Sequence, residues 1–134
     1  MISEWVPGNP QSGAIDVATV KRFATLAEAI KEDADAVREA IGEQTLQQAG
    51  GWLKLDETAW QSVISALEEK ELFPLAEFFT IAENAFSGWQ CGAKNPAIWV
   101  FRYLKEQQKL PEKALIRELK GRTDNRFIPY GSVL

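Results

Sequence analysis

Asn95-Pro96-Ala97-Ile98-Trp99-Val100-Phe101-Arg102-Tyr103-Leu104 is the densest apolar segment of this 134-residue chain, and it opens like a helix. The Asn95 side chain can accept hydrogen bonds from the first free N–H groups, and Pro96 stands where its missing N–H costs nothing. Ala97, Ile98, Val100, Phe101 and Leu104 leave little polar face before Lys105. A helix over residues 95–107 is therefore expected to be the central one, with the rest of the chain packed around it. Arg102 is the exception within it. A guanidinium between Phe101 and Tyr103 either snorkels to the surface or pairs with a carboxylate, and Glu77, Glu83 and Asp124 are the candidate partners.

Downstream, Leu110-Pro111-Glu112 starts a last helix that Gly121 closes. Leu115 and Leu119 are expected to point inward, with Lys113, Arg117 and Lys120 spaced four and three apart along one side. The tail from Arg122 to Leu134 is too apolar for a solvated end, so Phe127, Ile128 and Tyr130 are expected to dock on the body. Upstream, residues 87–94 form a loop whose two glycines permit left-handed backbone. Before it, a helix from about residue 73 to residue 85 carries Pro74 in its first turn and is apolar over more than half its circumference. Asp56 reads as the N-cap of another helix, with Trp60, Val63, Ile64 and Leu67 in one stripe. Glu68, Glu69 and Glu71 would then lie near that helix's end, where the macrodipole disfavours them, and cations of the last third are the natural compensation.

Residues 42–55 read as a looser connection punctuated by Gly42, Gly50 and Gly51, with at most one short strand at Trp52-Leu53-Lys54-Leu55. Residues 26–41 carry the apolar spacing of a helix-turn-helix-like pair, with Val37 and Ile41 anchoring the second helix. Its chemistry argues against DNA. Asp33, Asp35 and Glu39 stand where groove-reading helices carry polar or basic side chains, Arg38 is the sole base, and carboxylates repel phosphates. Asp16 offers an N-cap inside an Ile15/Val20 staple, and Thr25-Leu26-Ala27-Glu28 reads as a capping box that breaks this region into two helices. The expected architecture is all-α: residues 1–14 an N-terminal arm with Trp5 tucked onto the body, residues 15–134 one compact domain of five to six helices.

A chain this long can bury about two thirds of its unfolded surface, so neither metal nor disulfide is required to hold it. Cys91 is the single cysteine and histidine is absent, which fits a reducing compartment and removes Ser-His-Asp and Cys-His catalysis. The first residues lack a basic and apolar leader, and no uncharged apolar run approaches the roughly 20 residues of a membrane span. A cytoplasmic protein without membrane contact is the expectation.

Charge is unevenly spread around a net −4. Residues 1–50 carry four Lys or Arg against eight Asp or Glu, residues 51–90 two against seven, and residues 91–134 nine against four. The basic last third points to a candidate interaction surface of Trp89, Lys94, Arg102, Lys105, Lys113, Arg117, Lys120, Arg122, Arg126 and Tyr130, because arginine beside aromatic residues anchors protein interfaces and single-stranded nucleic-acid grooves alike. Overall acidity favours a protein partner, a different chain or a second copy, over nucleic acid. No cofactor, metal or catalytic residue is expected. Cys91, with only Lys94 near it in sequence, and carboxylate pairs such as Glu68 with Glu69 are the alternatives an enzyme or ligand-binding reading would use. Within residues 75–131, Phe78-Phe79-Thr80-Ile81-Ala82-Glu83, Gly88-Trp89 and Thr123-Asp124-Asn125-Arg126-Phe127-Ile128-Pro129-Tyr130-Gly131-Ser132 resemble a family of small uncharacterised bacterial all-helical proteins. The resemblance implies no activity. The reading that results is a non-enzymatic interaction or regulatory module.

Overall fold

A computed structural model describes residues 15–125 and 127–128, and these form eight α-helices with no strand among them. They are α1 (Val17–Thr25), α2 (Ala27–Glu32), α3 (Ala34–Ile41), α4 (Glu43–Trp52), α5 (Glu57–Ile64), α6 (Glu69–Ala85), α7 (Pro96–Glu106) and α8 (Lys113–Lys120), with a 3₁₀ turn at Gly92–Lys94. The all-α architecture is as expected; the helices are more numerous. None of those described is long and apolar enough to cross a membrane. The arm at residues 1–14, Trp5 within it, and Arg126 and Tyr130 lie outside the described residues.

Local signals set most boundaries. Asn95 caps α7 by accepting from Ala97 N–H at 2.8 Å, with Pro96 as the first helical residue. Asp56 caps α5 through Ala59 N–H at 3.2 Å, and Asp33 caps α3 through Ala36 N–H at 3.1 Å. Asp16 holds the cap position of α1, but its carboxylate accepts the Thr19 hydroxyl at 2.6 Å instead of a backbone N–H. The break between α1 and α2 also falls where expected, for a different reason. Thr25 turns its hydroxyl back to the Arg22 carbonyl at 2.6 Å, so no capping box forms and Leu26 is the joint.

Three local readings are corrected by packing. Residues 43–52 are helix α4 instead of a loose connection, and no strand forms at 52–55, because two buried indoles hold the segment: Trp89 Nε1 donates to the Leu46 carbonyl at 3.2 Å and Trp60 Nε1 to the Trp52 carbonyl at 3.0 Å. Glu68, Glu69 and Glu71 stand at the start of α6, where the dipole favours them, and Glu71 accepts from Glu68 N–H at 2.8 Å. That cap moves the helix start upstream and leaves Pro74 inside it. Lys109 does reach Glu69, at 2.8 Å. In α8, Leu119 and Ile116 face the body while Leu115 remains 43% exposed.

The centre of the molecule is α6 and not α7. Nine of its 17 residues are buried, and it packs most extensively on α1 and α7 while also touching α2 and α3. Phe23 of α1 stacks on Phe78 with centroids 4.7 Å apart, Trp60 of α5 meets Phe79 edge-on at 5.5 Å, and Phe86 meets Trp89 at 5.1 Å. Stacked and edge-to-face ring pairs make up this part of the core. The helix pair α2–α3 is joined by Asp33 alone, shorter than the three- or four-residue turn of DNA-reading pairs, and Lys31 is drawn inward to Glu77 of α6 at 2.7 Å. Burial pulls the Lys31 ammonium down, but Glu77 and Glu28 outweigh it and hold it above its ordinary value.

Phe78→Ala is expected to lose about 3–5 kcal/mol of stability in urea unfolding. Lys31→Met alone is expected to cost roughly 2–4 kcal/mol by stranding the Glu77 charge, and adding Glu77→Leu should recover part of that loss in the same assay.

Candidate functional site

Glu83 lies on α6, where an apolar helix leaves a carboxylate no water to solvate it. Only 6% of the residue is exposed, so its oxygens must be met by protein donors. Four donors meet them. Oε2 accepts from the backbone N–H groups of Cys91 at 2.9 Å and Gly92 at 2.8 Å, while Oε1 accepts from the side-chain amides of Asn95 at 2.9 Å and Asn125 at 2.8 Å. Gly92 reaches this position with φ +54, which glycine adopts without strain. Asn95 therefore works at both ends: Oδ1 caps α7 while Nδ2 binds Glu83 and, at 3.3 Å, the Phe79 carbonyl.

Asn125 extends the network to the C-terminal segment. Its amide also donates to the Gly92 carbonyl at 3.0 Å, and its Oδ1 accepts from Phe127 N–H at 2.8 Å. Ile128 is thereby seated in the core and Phe127 is packed against it, as the tail's apolar content suggested. Burial pushes the Glu83 carboxyl upward, but the N–H groups of Cys91 and Gly92 and the amides of Asn125 and Asn95 outweigh it, so its pKa lies below the ordinary value. Both oxygens are used by the fold. Such a carboxylate ties segments together and has no free lone pair aimed at a substrate.

Cys91 stands beside this carboxylate. Burial first, and then the Glu83 charge, push its thiol up to about 12. The thiol form dominates at neutral pH, the reverse of what a nucleophile needs. Lys94, the sequence neighbour that could have activated it, instead donates to the Lys54 carbonyl at 3.4 Å. Among the described residues no three His, Cys, Asp or Glu side chains are grouped to hold a metal ion.

Of the candidate surface residues that are described, Trp89 is the one withdrawn from the surface. Trp89 is buried, 3% exposed, with its indole N–H spent on α4. Arg102 pairs with Glu57 at 2.9 Å, not with Glu77, Glu83 or Asp124, and its guanidinium lies 5.3 Å from the centre of the Trp99 ring. Lys94 is exposed and donates to the Lys54 carbonyl. Lys105 is exposed in the last turn of α7. Lys113, Arg117 and Lys120 share one side of α8; Lys120 donates to the Ile128 carbonyl at 2.6 Å, and Arg122 pairs with Glu118 at 3.5 Å. Leu115 stands two residues from Arg117, about 200° round the helix, and so belongs to a different side.

The Glu83 network was missed by sequence reading, although one signal existed: Glu77 and Glu83 interrupt a helix that is apolar almost all round, and such carboxylates demand partners. No protein family, curated protein or solved structure matches this chain.

Glu83→Gln replaces an acceptor-only group by one with two donors and is expected to cost about 1–3 kcal/mol, measured by urea unfolding at neutral pH. Because the folded-state pKa is lowered, the Glu83 contribution is complete above the unfolded value of about 4.3 and fades as pH falls through the folded value. Unfolding midpoints of the Gln variant and the parent should converge over that acidic range.

Proposed function

We propose that this chain is a non-enzymatic interaction module that presents helix α8 to an acidic segment of a partner protein. The observation that carries the reading is the state of the cations. Lys31, Arg38, Lys70, Arg102, Lys109 and Arg122 each have a carboxylate within 4 Å, whereas Lys113 and Arg117, exposed on one side of α8, have none among the described residues. Cations left unpaired on an otherwise acidic molecule attract an acidic partner over a distance of about 8–10 Å at physiological salt. The shallow seating of α8 supports the same reading, since Leu119 is the only one of its eight residues that is buried. Support against catalysis comes from Glu83 and Cys91, whose chemistry is committed to the fold. Nucleic acid is the rival occupant of the same side, and the net charge of −4 weighs against it.

The test titrates the full chain with a glutamate-rich peptide and with single- and double-stranded DNA and RNA of matched charge, at several salt concentrations. Peptide binding is expected to weaken with salt and to fall roughly tenfold in a Lys113→Ala/Arg117→Ala double variant. Lys120 is left intact because it holds the Ile128 carbonyl. Tighter binding of nucleic acid than of peptide, or no binding of either at low salt, overturns the proposal.

A further inference from the structure

Two helices of this fold present a similar outward pattern with opposite charge. In α3, Val37 and Ile41 are buried, and the side turned away from them carries Asp35, Ala36, Glu39 and Ala40, all exposed. In α8, Leu119 is buried and Ile116 half-buried, and the opposite side carries Lys113, Ala114, Arg117 and Glu118, also exposed. Each helix is eight residues long. In each, two like charges stand four positions apart, about 6 Å along the axis and about 40° round it, with an alanine following the first. Asp35 answers Lys113, and Glu39 answers Arg117.

These charges are available to a partner. Among the described residues Asp35 and Glu39 have no cation within 4 Å, just as Lys113 and Arg117 have no carboxylate. The groups around them are engaged. Arg38 pairs with Glu43 at 3.2 Å, Asp33 caps α3, and Arg22 of α1 donates to the Ala40 carbonyl at 2.8 Å. On α8, Glu118 turns to Arg122 at 3.5 Å. The alanines keep both sides low, so a facing helix can approach closely without displacing a large side chain.

We propose that the acidic segment met by α8 is helix α3 of a second copy of this chain, with Lys113 against Asp35 and Arg117 against Glu39. The proposal rests on the reading of α8 as a surface for an acidic partner and names that partner. Each copy carries both sides, so the contact either closes reciprocally between two copies or continues to further ones. Exposed ion pairs are individually weak, and association is expected at high protein concentration. The net −4 of each copy opposes it at long range. At physiological ionic strength the screening length is about 8 Å, enough for facing charges and short against the whole molecule, whereas at about 1 M salt it is about 3 Å.

The test is sedimentation equilibrium of the full chain at high concentration. Self-association is expected at physiological salt and should weaken roughly tenfold or more at about 1 M. The double variants Lys113→Glu/Arg117→Glu and Asp35→Lys/Glu39→Lys are each expected to be monomeric. The second raises the net charge from −4 to zero, so its loss of association cannot come from general repulsion. An equimolar mixture of the two is expected to associate again, because acid then faces base in both contacts. Restored association also requires that both variants are folded. A chain that is monomeric at physiological salt, association that survives in either variant, or a mixture that stays monomeric overturns the proposal. Glutamate-rich peptide separates it from the broader reading: if the peptide binds and the chain does not self-associate, the second copy is wrong and the α8 surface stands, whereas loss of both removes both.

Discussion

A carboxylate inside an apolar helix has to be satisfied by its own chain, and Glu83 imposes that constraint on everything around it. Its four donors come from the loop after α6, from the cap of α7 and from the C-terminal segment, so one side chain ties α6 to the loop and helix start that follow it and to Asn125, far downstream in sequence. Each donor is itself buried or half-buried, and removing the acceptor would strand it in a medium where an unmade hydrogen bond is expensive. The geometry of the loop follows. Gly92 adopts positive φ to deliver its N–H, and the 3₁₀ turn then carries the chain to Asn95, where α7 begins.

Around this tie the aromatic side chains do the space filling. Phe23, Phe78, Phe79, Phe86 and Trp89 touch one another in stacked and edge-on pairs, and the polar ends of the indoles are used where a backbone carbonyl is within reach. Trp89 and Trp60 thereby pin α4 at Leu46 and at its last residue, Trp52, in a helix weakened by its own glycines. Trp99 is different: its Nε1 has no hydrogen-bond partner among the described residues, and Arg102 engages the ring face. The same arginine reaches Glu57 at the start of α5, joining two helices at the surface through one guanidinium.

Charge separates into pairs that hold elements together and cations that do not. Lys31 with Glu77 crosses from α2 to α6, while Lys109 with Glu69 joins the segment after α7 to the start of α6 and so absorbs part of the basic surplus of the last third. Among the described residues Lys113 and Arg117 on the outward side of α8 are left without a carboxylate, as are Lys21 on α1 and Lys54 ahead of α5. The two on α8 share one side, where a partner of opposite charge would find attraction without having to break an existing pair.

The helix over residues 96–106 and its cap, the cap at Asp56, the break near Thr25, and the docking of Phe127 and Ile128 were legible from the sequence, because each depends on residues within a turn or so of one another or on plain apolar content. The residues of the candidate sites were only partly so. Trp89 carries the same side chain whether it lies on a surface or in a core, and its burial is decided by Phe23, Phe79 and Phe86, none of them its immediate neighbours. Arg102 found Glu57 and not a nearer carboxylate, because α5 packs across α7. The glycines of α4 look like punctuation until two distant indoles supply the bonds that keep the segment helical. Short-range hydrogen bonding and apolar periodicity thus determined the all-α class and most helix starts. Only tertiary packing decided the centrality of α6, the Glu83 tie and the surviving surface charges, because each of these is a contact between residues whose separation along the chain carries no information about their separation in space.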